Sequence, residues 1–451
     1  MKKLNLFKIA TPIFFEILLF MLLGVADIMM LSRYGDLKTA SIAVDSVGMS
    51  NQLISNVNIF FSFISAGTAV LIAQNVGAKN FEAVKKVSVI SLGFNLLIGI
   101  VFSIVLVVFG EDLLRALGLT GERLVTATSY IQIVGGFMMI QALLTTSSAI
   151  IRSMGDTKVT LKITIGMNVM NVIGDAIFIF GLFGMPALGV KGVAIATTVS
   201  RIVALIVMLI YIFKRYIKVH HSLRYFKEPL EQLIPLLKIG VPTAFENLSY
   251  NLAQTVLASI ILYQLTDLAY TTRIYAWQIS WFALLFGVAI GQGTQIMVGQ
   301  YSGARDFEQA DHACMSNFRL SFGIAIVAGT ILMIFGKQFI GIYTTDVEIL
   351  ALGASVLFID GILEPGRTFN LVIISGLRGA GDVFFPTAIG IIFMWSIQVG
   401  VSYYLAVVVG LGLPGIWIGM ALDEWIRGFI MLARWKSGIW KTKVLAKQVE
   451  V

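Results

Sequence analysis

Residues 67–84 read GTAVLIAQNVGAKNFEAV, and residues 293–310 read GTQIMVGQYSGARDFEQA. Gly67, Thr68, Gln74, Gly77, Ala78, Phe81 and Glu82 recur 226 positions later as Gly293, Thr294, Gln300, Gly303, Ala304, Phe307 and Glu308. The same offset carries Arg152-x-x-Gly155-Asp156 onto Arg378-x-x-Gly381-Asp382. Pro12-x-x-x-Glu16 returns as Pro242-x-x-x-Glu246, and Gly189-x-x-Gly192 as Gly412-x-x-Gly415. Four matches in one order are the mark of a duplicated chain. Such internal repeats are a common way of building transporters.

The material between these motifs is apolar. Of 451 residues 57% are hydrophobic and 13% charged, about half the charged share of a soluble domain. The mean hydropathy is +0.88. These values exclude a soluble enzyme, a disordered chain and a disulfide scaffold. One cysteine, Cys314, cannot form an internal bridge. Glycine is abundant, at 43 residues against 8 prolines, which suits close helix packing in lipid. The net charge of +8 falls in short gaps between apolar runs rather than on one solvated face, so no nucleic-acid partner is expected. The first apolar segment has full spanning length and no A-x-A site, and it is expected to stay as a helix. His220, His221 and His312 all sit in polar stretches, which argues against a histidine-based metal or catalytic centre.

A membrane helix needs about 20 mostly apolar residues. Charge-free runs at 46–78, 87–110, 124–151, 274–304, 320–336 and 383–422 meet that length or come close to it. Twelve spans are read, at 9–33, 47–75, 87–109, 124–150, 160–183, 189–213, 236–262, 270–299, 316–336, 346–377, 384–408 and 413–434. Twelve puts both termini on one side. That side collects 23 Lys and Arg, the other 7, and Arg201, Arg367 and Arg427 lie at membrane depth. Basic residues mark the cytoplasmic face, so both termini are expected there. The longest polar connection, 214–236, holds seven bases counting histidines. It separates an N-lobe at 1–213 (spans 1–6) from a C-lobe at 237–451 (spans 7–12 and a cytoplasmic tail). Six spans per half give both halves the same polarity. The expected fold is an all-α polytopic membrane protein with two six-helix lobes, related by a pseudo-two-fold axis along the membrane normal.

Ionisable residues inside spans cost ~2.5–3.5 kcal/mol each on insertion scales, so they mark function by default. In the N-lobe these are Asp27 on span 1 and Asp175 on span 5. Asn171 lies one turn before Asp175 on the same helix face, with Asn168 a turn further back. Two carboxylates and an amide oxygen form a hard ligand set able to take Na⁺. Alternatively, two close carboxylates in low dielectric share one proton. Thr197 and Thr198 on span 6 add hydroxyls. Glu16, nearer the cytoplasmic end, reads as a gate or structural group. The C-lobe has all seven tryptophans. Trp435 and Trp440 read as interface anchors. Glu246, Asn247, Tyr250, Gln254, Trp277, Gln278, Arg367 and Asn370 are the substrate-cavity candidates, since aromatic faces with buried carboxylates suit an organic cation or flat ring. Glu364 with Arg367, and Asp423 or Glu424 with Arg427, have pairing distance along a helix. The Gly-Ala-Lys79 and Gly-Ala-Arg305 turns and the Arg-x-x-Gly-Asp motifs read as hinges or inner gates. No GxxxxGK[ST] motif occurs, so ATP drive within this chain is not expected. No charged voltage-sensor helix and no K⁺ filter sequence point to a channel.

The two repeated stretches, with IIRSMGDTK (150–158), NVMNVIGDAIFIFG (168–181) and GLRGAGDVFFP (376–386), resemble the multidrug and toxic compound extrusion (MATE) family over essentially the whole chain. The resemblance implies a V-shaped, two-lobed exporter that exchanges Na⁺ or H⁺ for organic, often cationic, drugs. Asp27, Asn171 and Asp175 match the ion-site residues of its DinF-like branch. The NorM-like branch has an acidic residue on span 10 about where this chain has Arg367, so the DinF-like branch is expected. Glu246 stands in a P-x-x-x-E-N arrangement like that of many bacterial members, offset from the NorM-like glutamate.

The expected function is therefore cation-coupled antiport of organic compounds by alternating access, in a prokaryotic inner membrane. No enzyme activity and no cofactor is expected, only a coupling Na⁺ or H⁺. Asp27, Asn171 and Asp175 are the ligands if the ion is Na⁺. Partners are a small organic substrate and membrane lipid, and the chain is expected to act as a monomer. The alternative is a flippase or exporter of lipid-linked or anionic substrates, which would use Arg273, Arg367 and Arg427 as cavity bases.

Overall fold

The computed structural model describes residues 4–217, 225 and 229–447, which are almost wholly helical. His220, His221 and residues 218–224 and 226–228 of the linker lie outside the described residues. The chain makes twelve helical passes. The first six are α1 (Leu6–Leu31), α2 (Leu37–Gly77), α3 (Phe81–Ala116), α4 (Gly121–Gly136) continued by α5 (Met138–Ser153), α6 (Thr157–Phe180) and α7 (Val190–Arg215). The second six begin with α8 (Pro229–Gln264), α9 (Asp267–Gly303) and α10 (Phe307–Ile340). Then come α11 (Val347–Thr368), running through a π-helical turn at Phe369–Ile373 into α12 (Ile374–Ala380), and α13 (Phe384–Phe393), running into π turns up to Val408. The last is α14 (Leu413–Lys436).

Each of the twelve spans read from the sequence has its helix. Many helices overrun the apolar window: α2 has 41 residues and α9 has 37. The apolar window marks the hydrocarbon, about 20 residues deep, whereas helical hydrogen bonding continues into polar surroundings. Among the described residues eight helices are long and apolar enough to cross a membrane, or nine if α4 and α5, bent by 49°, count as one. The other three passes are α8, α11 with α12, and α14. They carry the charged and amide side chains of the second half, which lowers their hydropathy without shortening them. The bend between α4 and α5 falls at Phe137, just after Gly135-Gly136, where φ −109° and ψ 24° interrupt the helix. Paired glycines are a usual cause of a sharp kink.

The duplication is as plain in the backbone as in the residues. Both Gly-Ala turns end their helices in a Schellman cap. Lys79 N–H donates to Val76 O (3.1 Å) and Asn80 N–H to Asn75 O (2.9 Å); Arg305 and Asp306 repeat this on Ser302 O and Tyr301 O, both at 3.0 Å. The cap needs a left-handed residue, and Lys79 (φ 57°) and Arg305 (φ 59°) supply it without being glycine. The Arg-x-x-Gly-Asp motifs form the same cap with Gly155 (φ 94°) and Gly381 (φ 96°). One reason for the Gly77 and Gly303 repeat is steric. A Cβ on Gly77 would stand 1.8 Å from Gln300 O, and one on Gly303 would stand 1.9 Å from Gln74 O. The ends of α2 and α9 thus cross backbone to backbone.

Two compact units result. One contains Met1–Phe14, Ala73–Asn80 and Val241–Val451; the other contains Phe15–Ile72 and Phe81–Gly240. The core of the second holds Leu31, Val47, Phe61, Leu106, Ile131 and Met138, all buried. The core of the first holds Leu257, Ile261, Ile340, Val356, Leu363 and Trp417. Large apolar side chains are exposed along single helices, such as Val101, Ile104 and Val108 on α3 and Val327 and Ile334 on α10. That suits a face turned to lipid.

One expectation is corrected. Trp435 and Trp440 are not interface anchors: both are buried, stacked with ring centroids 4.3 Å apart. Trp435 donates its indole N–H to Asp311 Oδ1 (2.7 Å) and Trp440 to Trp435 O (2.9 Å). A left-handed turn at Gly438 (φ 72°) folds the tail back so that Trp440 stacks on Trp435.

Candidate functional site

In the unit built from residues 15–72 and 81–240, three polar helix faces meet. Asp27 near the end of α1 and Asp175 near the end of α6 are both buried and interact electrostatically with each other. Asn171, one turn before Asp175, stands between Asp175 and α7. With its nitrogen turned to Asp175 Oδ2 (3.1 Å), its oxygen accepts from the Thr197 hydroxyl (3.2 Å). That amide orientation satisfies both neighbours and follows from the hydrogen-bond network. Asp175 Oδ1 has no hydrogen-bond partner. Asp27, Asn171, Asp175 and Thr197 are therefore one cluster.

Thr198 is buried nearby but returns its hydroxyl to Ala194 O (2.8 Å) on its own helix. Asn168 donates to Leu19 O (3.0 Å), tying α6 to α1. Three participants were missed in the sequence. Arg201, one turn after Thr197, and Tyr130 on α4 interact electrostatically with the acids. Tyr130 donates to Asn51 Oδ1 on α2 (3.2 Å). The i, i+4 step from Thr197 to Arg201 would have found the arginine. Tyr130 and Asn51 leave no such signal.

The other unit gathers the second-half candidates into three groups. Glu246 on α8 pairs with Arg378 and accepts from Thr387 Oγ1 (3.0 Å). Gln254 accepts from Arg273 Nη2 through its backbone and side-chain oxygens (3.3 and 3.4 Å), and Arg273 lies 5.8 Å from the Trp277 ring centroid. Tyr250 feels the charges of Arg367 and Glu424. In the third group Arg367 pairs with Glu364 and reaches Glu424 at 3.8 Å. Arg427 lies 3.0 Å from both Asp423 and Glu424. Asn370 donates to Glu424 O (2.8 Å) and Oε2 (2.6 Å). Asn247 and Gln278 are exposed. Asp360, buried below this group, accepts from Ser280 (2.6 Å) and Trp417 (3.1 Å). Among the described residues no three His, Cys, Asp or Glu side chains cluster as a metal site would require.

The Arg-x-x-Gly-Asp motifs link helices. In each half the arginine turns to the glutamate of the first helix, Arg152 to Glu16 at 3.8 Å and Arg378 to Glu246. The aspartate turns to the end of the last helix. Asp156 accepts from Tyr211 (2.8 Å) on α7 and from Tyr216 just beyond it, and Asp382 accepts from Arg434 (2.8 Å) on α14.

The MatE family model matches residues 12–177 and matches again over residues 242–404, one copy per half, each starting at a repeated proline. The chain belongs to the MatE family. Proteins of this family are transporters, not enzymes. "Uncharacterized transporter YisQ" of Bacillus subtilis is 42% identical over 446 residues, spanning 99% of this chain and 96% of that protein. "Probable multidrug resistance protein NorM" of Thermotoga maritima is 28% identical, over 99% and 95%. A crystal structure described as MATE in the bent conformation superposes with a TM-score of 0.88 at 22% identity, covering 97% of this chain and 96% of that one. It shares the twelve-helix MATE fold. These relatives do not single out the DinF-like branch, which rests on the residues alone.

Proposed function

We propose that this MatE transporter is an antiporter that exports organic, often cationic, compounds by alternating access, driven by Na⁺ or H⁺ taken up at Asp27 and Asp175. The observation that carries the reading is the pairing of these two buried acids, with Asn171 against Asp175 and Thr197 against Asn171. The group has one state with a proton between the carboxyls and another with two negative charges open to a cation. Asn171 and Thr197 supply the neutral oxygens a hard cation needs. The coupling energy is a difference in ion affinity between outward and inward states; equal affinity would drive nothing. The ion binds from outside, and span 1, carrying Asp27, shifts as it does so. The Thermotoga relative is named as a probable multidrug resistance protein.

The lobes at 1–213 and 237–451, cytoplasmic termini and a monomeric state complete the proposal. The lipid-linked or anionic alternative loses ground because two of the arginines it would use are neutralised. Arg367 and Arg427 are paired with Glu364, Asp423 and Glu424.

The test is efflux of a fluorescent organic cation from proteoliposomes, with Na⁺ and pH gradients imposed separately. One gradient is expected to drive efflux, and Asp27→Asn or Asp175→Asn to reduce it by at least about 100-fold. Gradient-driven efflux at the normal rate by Asp27→Asn would defeat the proposal.

A further inference from the structure

Each half repeats one ion pair, but the copies differ. Arg378 closes tightly on Glu246, whose carboxylate is completed by Thr387. Arg152 stops 3.8 Å short of Glu16 Oε2, beyond hydrogen-bond length. Ser148 donates to Glu16 Oε1 (3.1 Å), while Oε2 has no hydrogen-bond partner although Glu16 is only 5% exposed. A buried carboxylate usually has its oxygens satisfied. Glu16 is one of the residues around a cavity of about 190 Å³, with Arg152, Phe20, Leu144, Thr164, Met167 and Met208 also in its lining. Thr145, also in the wall, returns its hydroxyl to Gln141 O (2.9 Å) on its own helix. The Arg152 side chain, 22% exposed against 6% for Glu16, lines the same cavity and has a further interaction of its own.

We propose that this cavity docks the head group of a compact monovalent organic cation, an ammonium on a small apolar body, with the Glu16 carboxylate as its counter-charge. The inference rests on the antiport reading and names a loading site within it. The sign follows from Glu16, the buried acid of the lining, which the more exposed Arg152 approaches only to 3.8 Å. The body follows from the apolar walls. The size follows from the volume: an apolar cavity of about 150 Å³ takes a benzene, so this one has room for one ring and a short amine. An ammonium placed on the Glu16 carboxylate takes the role that Arg378 plays on Glu246 in the other half, displacing Arg152, which has a further interaction of its own. Glu16 lies eleven residues before Asp27 on α1, about 16 Å along the helix at 1.5 Å per residue. Substrate and coupling ion therefore have separate carboxylates on one helix, with the substrate's toward the proposed cytoplasmic end.

The test is calorimetric titration of the purified full-length protein in detergent with phenethylammonium chloride, at fixed ionic strength, with 2-phenylethanol as the neutral match. Saturable binding of the cation and none of the alcohol is expected. Glu16→Gln should weaken binding at least ten-fold, and Glu16→Asp should restore part of it. Thr164→Phe keeps the carboxylate but fills the cavity and should lose binding to the same degree, which guards against a folding artefact in any one variant. Wild-type affinity in Glu16→Gln or in Thr164→Phe, or no saturable binding by the unaltered protein, overturns the site. Efflux in proteoliposomes separates this from the antiport reading. Efflux that persists while binding ignores Glu16 removes the site alone. Glu16-dependent binding without gradient-driven efflux leaves the site standing and removes the antiport.

Discussion

Arg367 shows what one buried side chain commits its surroundings to. It is 8% exposed and holds Glu364 and Glu424 together on two helices. Removing one partner of a buried pair strands the others and typically costs ~3–5 kcal/mol. Arg367→Met should therefore lower the thermal midpoint of the purified protein clearly, despite its matched length and apolar character. Arg367→Lys keeps the charge but loses the planar fork and should fall between. A melt unchanged in Arg367→Met would mean the cluster is dispensable. The pair was legible because Glu364 and Arg367 are three residues apart on one helix; so were Asn171 and Asp175, four apart. What the sequence hid is what crosses between helices. Nothing in its periodicity says that Tyr130 faces Asp27, that Ser148 completes Glu16, or that Ser280 and Trp417 hold Asp360.

Among the elements, α2 and α9 carry the clearest contrast between two kinds of glycine. Gly77 sits where a Cβ would meet Gln300 O at 1.8 Å, whereas Gly48, on the same helix, has nothing within 4 Å. A backbone carbonyl cannot rotate away as a side chain can. Gly77→Ala must push the helices apart, and overpacking of this kind costs about 1–3 kcal/mol. Gly48→Ala removes only the entropic penalty of glycine in a helix, of order 1 kcal/mol, and should be neutral or stabilising. Thermal melts of the two variants in detergent should therefore move in opposite directions. Equal shifts would mean the α2–α9 crossing does not bear load. The repeated Gly-Ala motif could be read as a turn from spacing alone, but not its cap. Lys79 and Arg305 stand in the left-handed position where glycine is usual, and only their matching hydrogen bonds reveal one Schellman geometry made twice. The α4–α5 bend is the reverse case: Gly135-Gly136 was in plain view inside a stretch read as one span, because a glycine pair permits a kink without requiring one.

At the scale of the whole molecule, twelve passes follow from hydropathy and the repeat, and orientation follows from charge. Helices α8, α11 and α14 are the hardest to see by apolarity because they hold Glu246, Asp360, Glu364, Arg367, Asp423, Glu424 and Arg427. The repeat finds them where composition fails, since Pro242 and Gly412 mark the starts of spans matched to apolar ones in the first half. The division of Lys and Arg, 23 against 7, then predicts which ends face the cytoplasm. The chain is well suited to a direct test, because its one cysteine, Cys314, is fully buried and gives little background to a thiol reagent. Phe183, in the turn between α6 and α7, is 91% exposed, and Lys436 is exposed at the end of α14. With both termini inside, Phe183→Cys should react with a membrane-impermeant maleimide on intact cells. Lys436→Cys should react only after the membrane is permeabilised. The reverse pattern would place the termini outside and reverse the sidedness of Glu16 and Asp27. The first acid would then face the coupling ion's side, and the loading route argued for it would fail with the orientation.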